Sequence, residues 1–305
     1  MFQSHWGEII ALLTAICWTI TSLSFQTATR KVGSLSVNIL RLLIAIIIYC
    51  VISKITRGQF LPLDASPHIW LWMSISGLVG FVFGDFFLFK SYEYISARIS
   101  MLIMALCPPI AAIISWFALG ESMSVKSIFA MLVTLVGIII VITKKKSHDE
   151  ISLEKTNNLT LSYPLKGLMF AFFGAIGQAG GLVISKYGMG NYNVFAATQI
   201  RVIAGSISFG LLVFILRRWN NFYIAVKDKK AMLFITIGAV FGPFIGVYFS
   251  LLSLKYTSIG IASTIMATVP VLIIPPAIIL LKEKVSIKEV IGAFITVGGV
   301  IMFFV

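Results

Sequence analysis

Apolar residues run through this chain in long blocks, broken at near-regular intervals by short clusters of charged and turn-forming residues. Stretches without Asp, Glu, Lys or Arg recur from end to end. A bilayer core takes about 20 mostly apolar residues per helix, so this spacing predicts membrane-spanning helices. Cutting at the charges and turn residues places them near 8–29, 34–54, 68–90, 96–118, 125–143, 166–186, 194–216, 231–254, 258–281 and 287–305. The longest polar interruption, KKKSHDEISLEKTNNLTLSYP at 144–164, falls close to the midpoint and predicts a linker between halves 1–143 and 165–305.

The two halves resemble each other. YEYISARISMLIMALCPP at 92–109 lies over LKYTSIGIASTIMATVPV at 254–271 at a shift of 162, and the same ungapped shift maps Gly84 onto Gly246, Pro108 onto Pro270, Glu121 onto Glu283, Ser124 onto Ser286 and Gly137 onto Gly299. A shift of 160 maps Gly7 onto Gly167 and Arg41 onto Arg201. Each half holds an odd number of predicted helices, so the second enters the membrane from the side opposite to the first. The expected fold is an all-α polytopic membrane protein with ten transmembrane helices arranged as two inverted five-helix repeats, a pattern associated with alternating-access carriers.

Composition agrees: 59% of residues are hydrophobic, 11% are charged and the mean hydropathy is +1.00. A net charge of +13 suggests nucleic acid in a soluble protein, but here the basic residues sit in the links between apolar runs, where topology explains them. Links after helices 1, 3, 5, 7 and 9, with their flanking helix ends, hold seventeen Lys and Arg against five in the other links and termini. The positive-inside rule then puts the odd links in the cytoplasm and both termini outside. The N-terminus runs from His5, Trp6 and Gly7 straight into an apolar span, with no sign of a cleaved signal. Cys17, Cys50 and Cys107 fall inside apolar runs and read as small packing residues.

A mid-helix MALCPP or MATVPV, a following LGE or LKE and a glycine-bearing final helix, each occurring twice, resemble the EamA-type family of the drug/metabolite transporter superfamily. The resemblance covers both halves. It implies a bacterial cytoplasmic (inner) membrane protein exporting amino acids and related small metabolites, or a relative of nucleotide-sugar and sugar-phosphate carriers. It also implies that the helix before the last in each repeat lines a central cavity, making Met104, Ala105, Met266 and Ala267 lining candidates.

Asp85 is the only acid well inside a predicted span, and intramembrane carboxylates are costly enough to suggest function. Counting from the nearer ends of helices 2 and 3 puts Arg41 and Asp85 both roughly 8–10 Å deep at 1.5 Å per residue. The pair either takes part in coupling or binding, or only locks helix 2 to helix 3, or fails to form because Arg41 snorkels to the interface. Arg201 duplicates Arg41, but Asp85 is duplicated by Val247, so an unpaired Arg201 is a candidate for a substrate carboxylate, with snorkelling the alternative. Pro108, Pro109, Pro270, Pro275 and Pro276 interrupt helix ladders and read as hinges, cavity formers or packing features. Gly177 and Gly181 form a small-xxx-small face beside Gln178, the one polar group there for substrate, and Trp18 stands at the position that Gln178 duplicates. Glu121 and Glu283 read as helix-end groups, and Ser286 to Glu289 has capping-box form. His5, His68 and His148 form no metal spacing, the Asn158 sequon carries no role, and no nucleotide-binding loop is present.

The leading expectation is a secondary carrier for a small polar metabolite, with neither cofactor nor metal. A proton-coupled cationic-drug exporter is the nearest rival and rests on Asp85, since Glu8 lies too near the membrane edge. A membrane-embedded enzyme lacks a catalytic constellation, and a non-transporting receptor or channel is the reading from another class. Expected partners are the lipid bilayer, a small-molecule substrate, protons as a candidate coupling ion and a second copy of the chain as a candidate dimer mate.

Overall fold

The computed structural model describes residues 6–119, 125–144, 160–256 and 265–304. Each of the ten expected segments holds helix among these residues, and seven helical stretches, with Ala97–Ile114 taken as one, are long and apolar enough to cross a membrane. The first repeat begins with α1 (Trp6–Val32), α2 (Ser34–Arg57) and α3 (Pro67–Tyr92). Only Gly33 separates α1 from α2; its φ of 80° allows a reversal that a residue with a Cβ adopts at a cost. Ser66 caps α3, accepting from the Ile69 amide, with Pro67 in the first turn, where a missing N–H costs nothing.

The expected fourth span is not one continuous helix. It divides into α4 (Ala97–Met104) and α5 (Cys107–Leu119), joined by a turn in which the Leu106 amide reaches the Ile103 carbonyl at 3.0 Å. Pro108 and Pro109 therefore lie in the opening turn of a new helix, where proline is tolerated, rather than in the interior of a kinked one. Next come α6 (Val125–Ile142) and a two-residue antiparallel pairing of Thr143–Lys144 with Thr160–Leu161 at the two ends of the linker.

The second repeat opens with α7 (Leu165–Met189) and α8 (Val194–Ile215). The link predicted at 217–230 contains a short helix, α9 (Trp219–Lys227), with Ala225 its one buried residue. Then α10 runs as Lys229–Ala239, a π-helical stretch Val240–Gly246 and Val247–Tyr256. The ninth expected span is also divided, into α11 (Val269–Leu272) and α12 (Ile274–Leu281), each with proline in its first turn. Last comes α13 (Ile287–Phe304), entered through the expected capping box: the Ser286 amide donates to Glu289 at 3.2 Å and the Glu289 amide to Ser286 Oγ at 3.3 Å.

Irregularities recur at duplicate positions. The π-helical stretch of α3, Leu78–Gly84, lies 162 residues before that of α10, and the Thr268 amide reaches the Ile265 carbonyl at 3.1 Å just as Leu106 reaches Ile103. Gly137 of α6 faces Thr296 of α13, while Gly299 faces Thr134, so the same glycine–threonine contact is made twice across one helix pair. The largest buried cluster joins α1, α2, α3 and α8 around Phe25, Leu42, Tyr49, Phe81 and Phe209. Large apolar side chains such as Ile55, Phe117 and Phe214 point outward, as a lipid-facing surface requires.

Candidate functional site

The site is built on close contact between α3 and α7. A Cβ on Gly177 would meet the Gly84 backbone at 2.5 Å, and one on Gly181 would meet Gly80 Cα at 2.7 Å, so the facing glycines let the two backbones touch. In the π-helical stretch the Asp85 amide bonds the Gly80 carbonyl, five residues back, and such wide turns recur at functional sites. Gln178, between the two α7 glycines, donates from Nε2 to the same Gly80 carbonyl at 3.3 Å and to Asp85 Oδ1.

Arg41 meets the other side of Asp85, with Nη2 2.6 Å from Oδ2. Its Nη2 and Nε also donate to Asn38 Oδ1 at 3.0 and 3.3 Å, and Asn38 Nδ2 donates to the Ser34 and Asp85 carbonyls. Both charged side chains are buried, and the guanidinium lies 4.7 Å from the Phe89 ring centre. The structure thus forms the Arg41–Asp85 pair and adds Gln178 from the second repeat to it.

Arg201 approaches from the opposite end of the bundle. Arg41 lies seven residues into α2 and Arg201 seven into α8, each about 10 Å deep at 1.5 Å per residue. The start of α8 stands beside the far end of α2, where Tyr192 and Arg57 both bond Asp64. The two duplicate arginines converge on one ring, Arg201 at 4.7 Å from the Phe81 centre and Arg41 at 5.7 Å.

A second polar cluster ties the repeats together at the end of the bundle where α1, α3 and α12 finish. Arg98 of α4 pairs with Glu283 at 3.4 Å and with Glu289 of α13. Gln26 of α1 donates to Glu283 at 3.2 Å and accepts from the Ala97 amide, and Tyr163 donates to Glu289. Burial, then the Glu289 carboxylate, raise the Tyr163 hydroxyl above the ordinary phenol range, so it remains a protonated donor. Glu283 is therefore more than the helix-end group expected from sequence: it bridges α1 and α4. Glu121, its duplicate, lies outside the described residues, as do His5, His148 and Asn158.

The remaining candidates fall into place around these clusters. Trp18 packs on Gly246 of α10, at the duplicate of the Gln178–Gly84 contact, and with Ala11 it borders Met266. Met104 ends α4 between the two main buried clusters. Pro270, with Arg98, Leu102 and Glu289, lines a small void. Arg98, Asn38 and Phe81 were not singled out from sequence. Arg98 carried a readable signal, an arginine inside an apolar run, whereas Asn38 and Phe81 gain meaning only from the arginines beside them.

The EamA-like transporter family model matches this chain twice, over residues 5–143 and 165–305. The chain belongs to the EamA-like transporter family. It is 24% identical over 302 residues to an uncharacterised transporter of Clostridium kluyveri, covering 97% of this chain and 93% of that one. It is also 23% identical over 189 residues to an uncharacterised membrane protein of Saccharomyces cerevisiae, covering 59% of this chain and 45% of the yeast protein. A solved crystal structure shares the fold, with a TM-score of 0.64 at 16% identity, covering 97% of this chain and 95% of the other. As an EamA-like transporter the protein is a multi-pass membrane protein, and the Arg41–Asp85–Gln178 cluster lies where its two family matches meet.

Proposed function

We propose that this EamA-like transporter is a secondary carrier that moves a small polar metabolite, an amino acid or a close relative, by alternating access. In this reading two inverted five-helix repeats, 1–143 and 165–305, provide ten spans around a central site, with 144–164 as linker, in a bacterial inner membrane and in the direction of export. One observation carries it: a buried charged cluster spans both repeats, with Arg41 and Asp85 from the first and Gln178 and Arg201 from the second. Buried charge in a membrane bundle is costly and marks substrate or ion pathways. The Arg98–Glu283–Glu289 cluster supports the same reading, because it closes one end of the bundle with ion pairs that cross between repeats and that separate when repeats rock apart. A cationic-drug exporter has less support, since it needs a free deep carboxylate and Asp85 is engaged by both Arg41 and Gln178.

Counterflow in proteoliposomes tests the proposal. Purified protein loaded with unlabelled amino acids is expected to exchange them for labelled ones. If Asp85 also carries the coupling proton, Asp85→Asn abolishes proton-gradient-driven accumulation while exchange survives. Exchange absent across amino acids, nucleosides and cationic dyes alike would remove the carrier reading.

A further inference from the structure

Arg201 is 6% exposed, yet among the described residues it makes no hydrogen bond or ion pair, and its Nε is buried without an acceptor. Its counterpart Arg41 shows what such a group demands: a carboxylate at 2.6 Å and an amide oxygen at 3.0 Å. At the duplicate positions the second repeat has neither, because Val247 stands for Asp85 and Thr198 for Asn38. The Thr198 hydroxyl donates instead to the Val194 carbonyl at 2.8 Å, and the nearby Tyr49 hydroxyl is committed to the Pro243 and Phe244 carbonyls at 3.1 and 3.3 Å. The cluster therefore holds two guanidiniums and one carboxylate, and that carboxylate is engaged by Arg41 and Gln178.

A desolvated cation without a bonded partner is costly, and stacking on Phe81 and the through-space charge of Asp85, already bonded to Arg41 and Gln178, offset only part of that cost. A guanidinium presents a planar fork that matches the two oxygens of a carboxylate, and one face of Arg201 is already held by the ring. Its guanidinium lies over the Phe81 ring inside the bundle rather than reaching outward, so an anion that meets it there is a molecule that enters the bundle.

From this we infer that Arg201 is the anchoring group for a carboxylate on the transported molecule, which docks against Phe81 and supplies the charge that Val247 does not. The inference rests on the carrier reading above and narrows its substrate class to carboxylate-bearing molecules. A neutral amide of the same shape leaves Arg201 unpaired and is rejected.

Thermal unfolding of the purified full chain at constant ionic strength provides the test, with acetate, L-alanine, L-glutamate and benzoate as probes, each beside its primary amide. At least one carboxylate is expected to raise the melting midpoint in a concentration-dependent way that its amide does not reproduce. Arg201→Gln should lose that response, while its own midpoint without ligand is no lower than that of the wild type, because a buried cation without a bonded partner is what has been removed. Equal responses to acid and amide, a response retained in Arg201→Gln, or no carboxylate response in the wild type each overturn the inference. Counterflow separates the two readings: exchange that proceeds at wild-type rate in Arg201→Gln leaves the carrier standing and removes the carboxylate anchor. Stabilisation through Arg201 without exchange of any probe does the reverse.

Discussion

At the scale of single residues, the Arg41–Asp85 pair sets the energetics of the site. Removing one member of a buried pair leaves the other charge uncompensated, at a cost of about 3–5 kcal/mol. Asp85→Asn is therefore expected to lower the melting midpoint sharply, and adding Arg41→Gln should recover part of the loss, since the double variant no longer buries Arg41 without its carboxylate. Recovery in the double variant, measured by thermal unfolding, distinguishes pairing from independent effects. At the membrane edge, Asp64 is a milder case. Burial raises its pKa, but hydrogen bonds from Arg57, Tyr192 and Gln59 outweigh this and hold it below the usual aspartate value. Because the folded-state value is the depressed one, its contribution is present at neutral pH and is lost as pH falls through that value, below about 4. The pair is partly exposed, so the effect is under about 1 kcal/mol. The melting difference between wild type and Asp64→Asn should be small at pH 7 and shrink progressively as pH falls below about 4.

At the scale of elements, the contact between α3 and α7 leaves no room for side chains at the facing glycines. Gly177→Leu would force a bulky side chain into the Gly84 backbone and separate the helices that carry Asp85 and Gln178. Overpacking of this kind costs about 1–3 kcal/mol, and more where backbone must shift. The expected result is a lower melting midpoint together with loss of counterflow, whereas Gly210→Leu, at a position where a Cβ meets nothing within 4 Å, should retain both. The divided spans follow a similar logic: Pro108 and Pro270 open new helices after matching turns, so each half carries its break at the same place.

At the scale of the whole molecule, the polar closure is asymmetric. By the shift of 162, Arg98 corresponds to Gly260 and Glu289 to Ser127, so the second repeat has no arginine with which to build the matching lock. The resting protein is therefore expected to favour closure at the Arg98 end. In a background lacking Cys17, Cys50 and Cys107, Leu102→Cys should be protected from an impermeant thiol reagent offered at that end. Glu283→Gln with Glu289→Gln should expose it, and equal labelling in both backgrounds would show that the ion pairs do not hold the end shut. Orientation is a separate prediction from the bias of basic residues: a reporter fused after Val305 should lie on the extracytoplasmic side, and a cytoplasmic signal there would invert the topology without touching the duplication.

Much of this was legible in the sequence for simple physical reasons. Chain segments that must satisfy their backbone inside lipid become long apolar helices, so the spans were readable from charge spacing, and an internal duplication is a property of sequence that needs no coordinates. The presence of Asp85, Arg41 and Arg201 within spans was equally readable, as was the absence of an acid at Val247. What lay beyond reach depended on the rotation and contact of helices distant in sequence. Depth along an axis says nothing about which face a side chain occupies, so neither the 2.6 Å meeting of Arg41 with Asp85 nor the insertion of Gln178 could be derived. The bridging role of Glu283 was hidden because its partners, Gln26 and Arg98, are 257 and 185 residues away. The sequence alone determined that the second arginine has no duplicate acid. Only the tertiary structure decided that nothing among the described residues replaces it, because that depends on every helix packed around Phe81 at once.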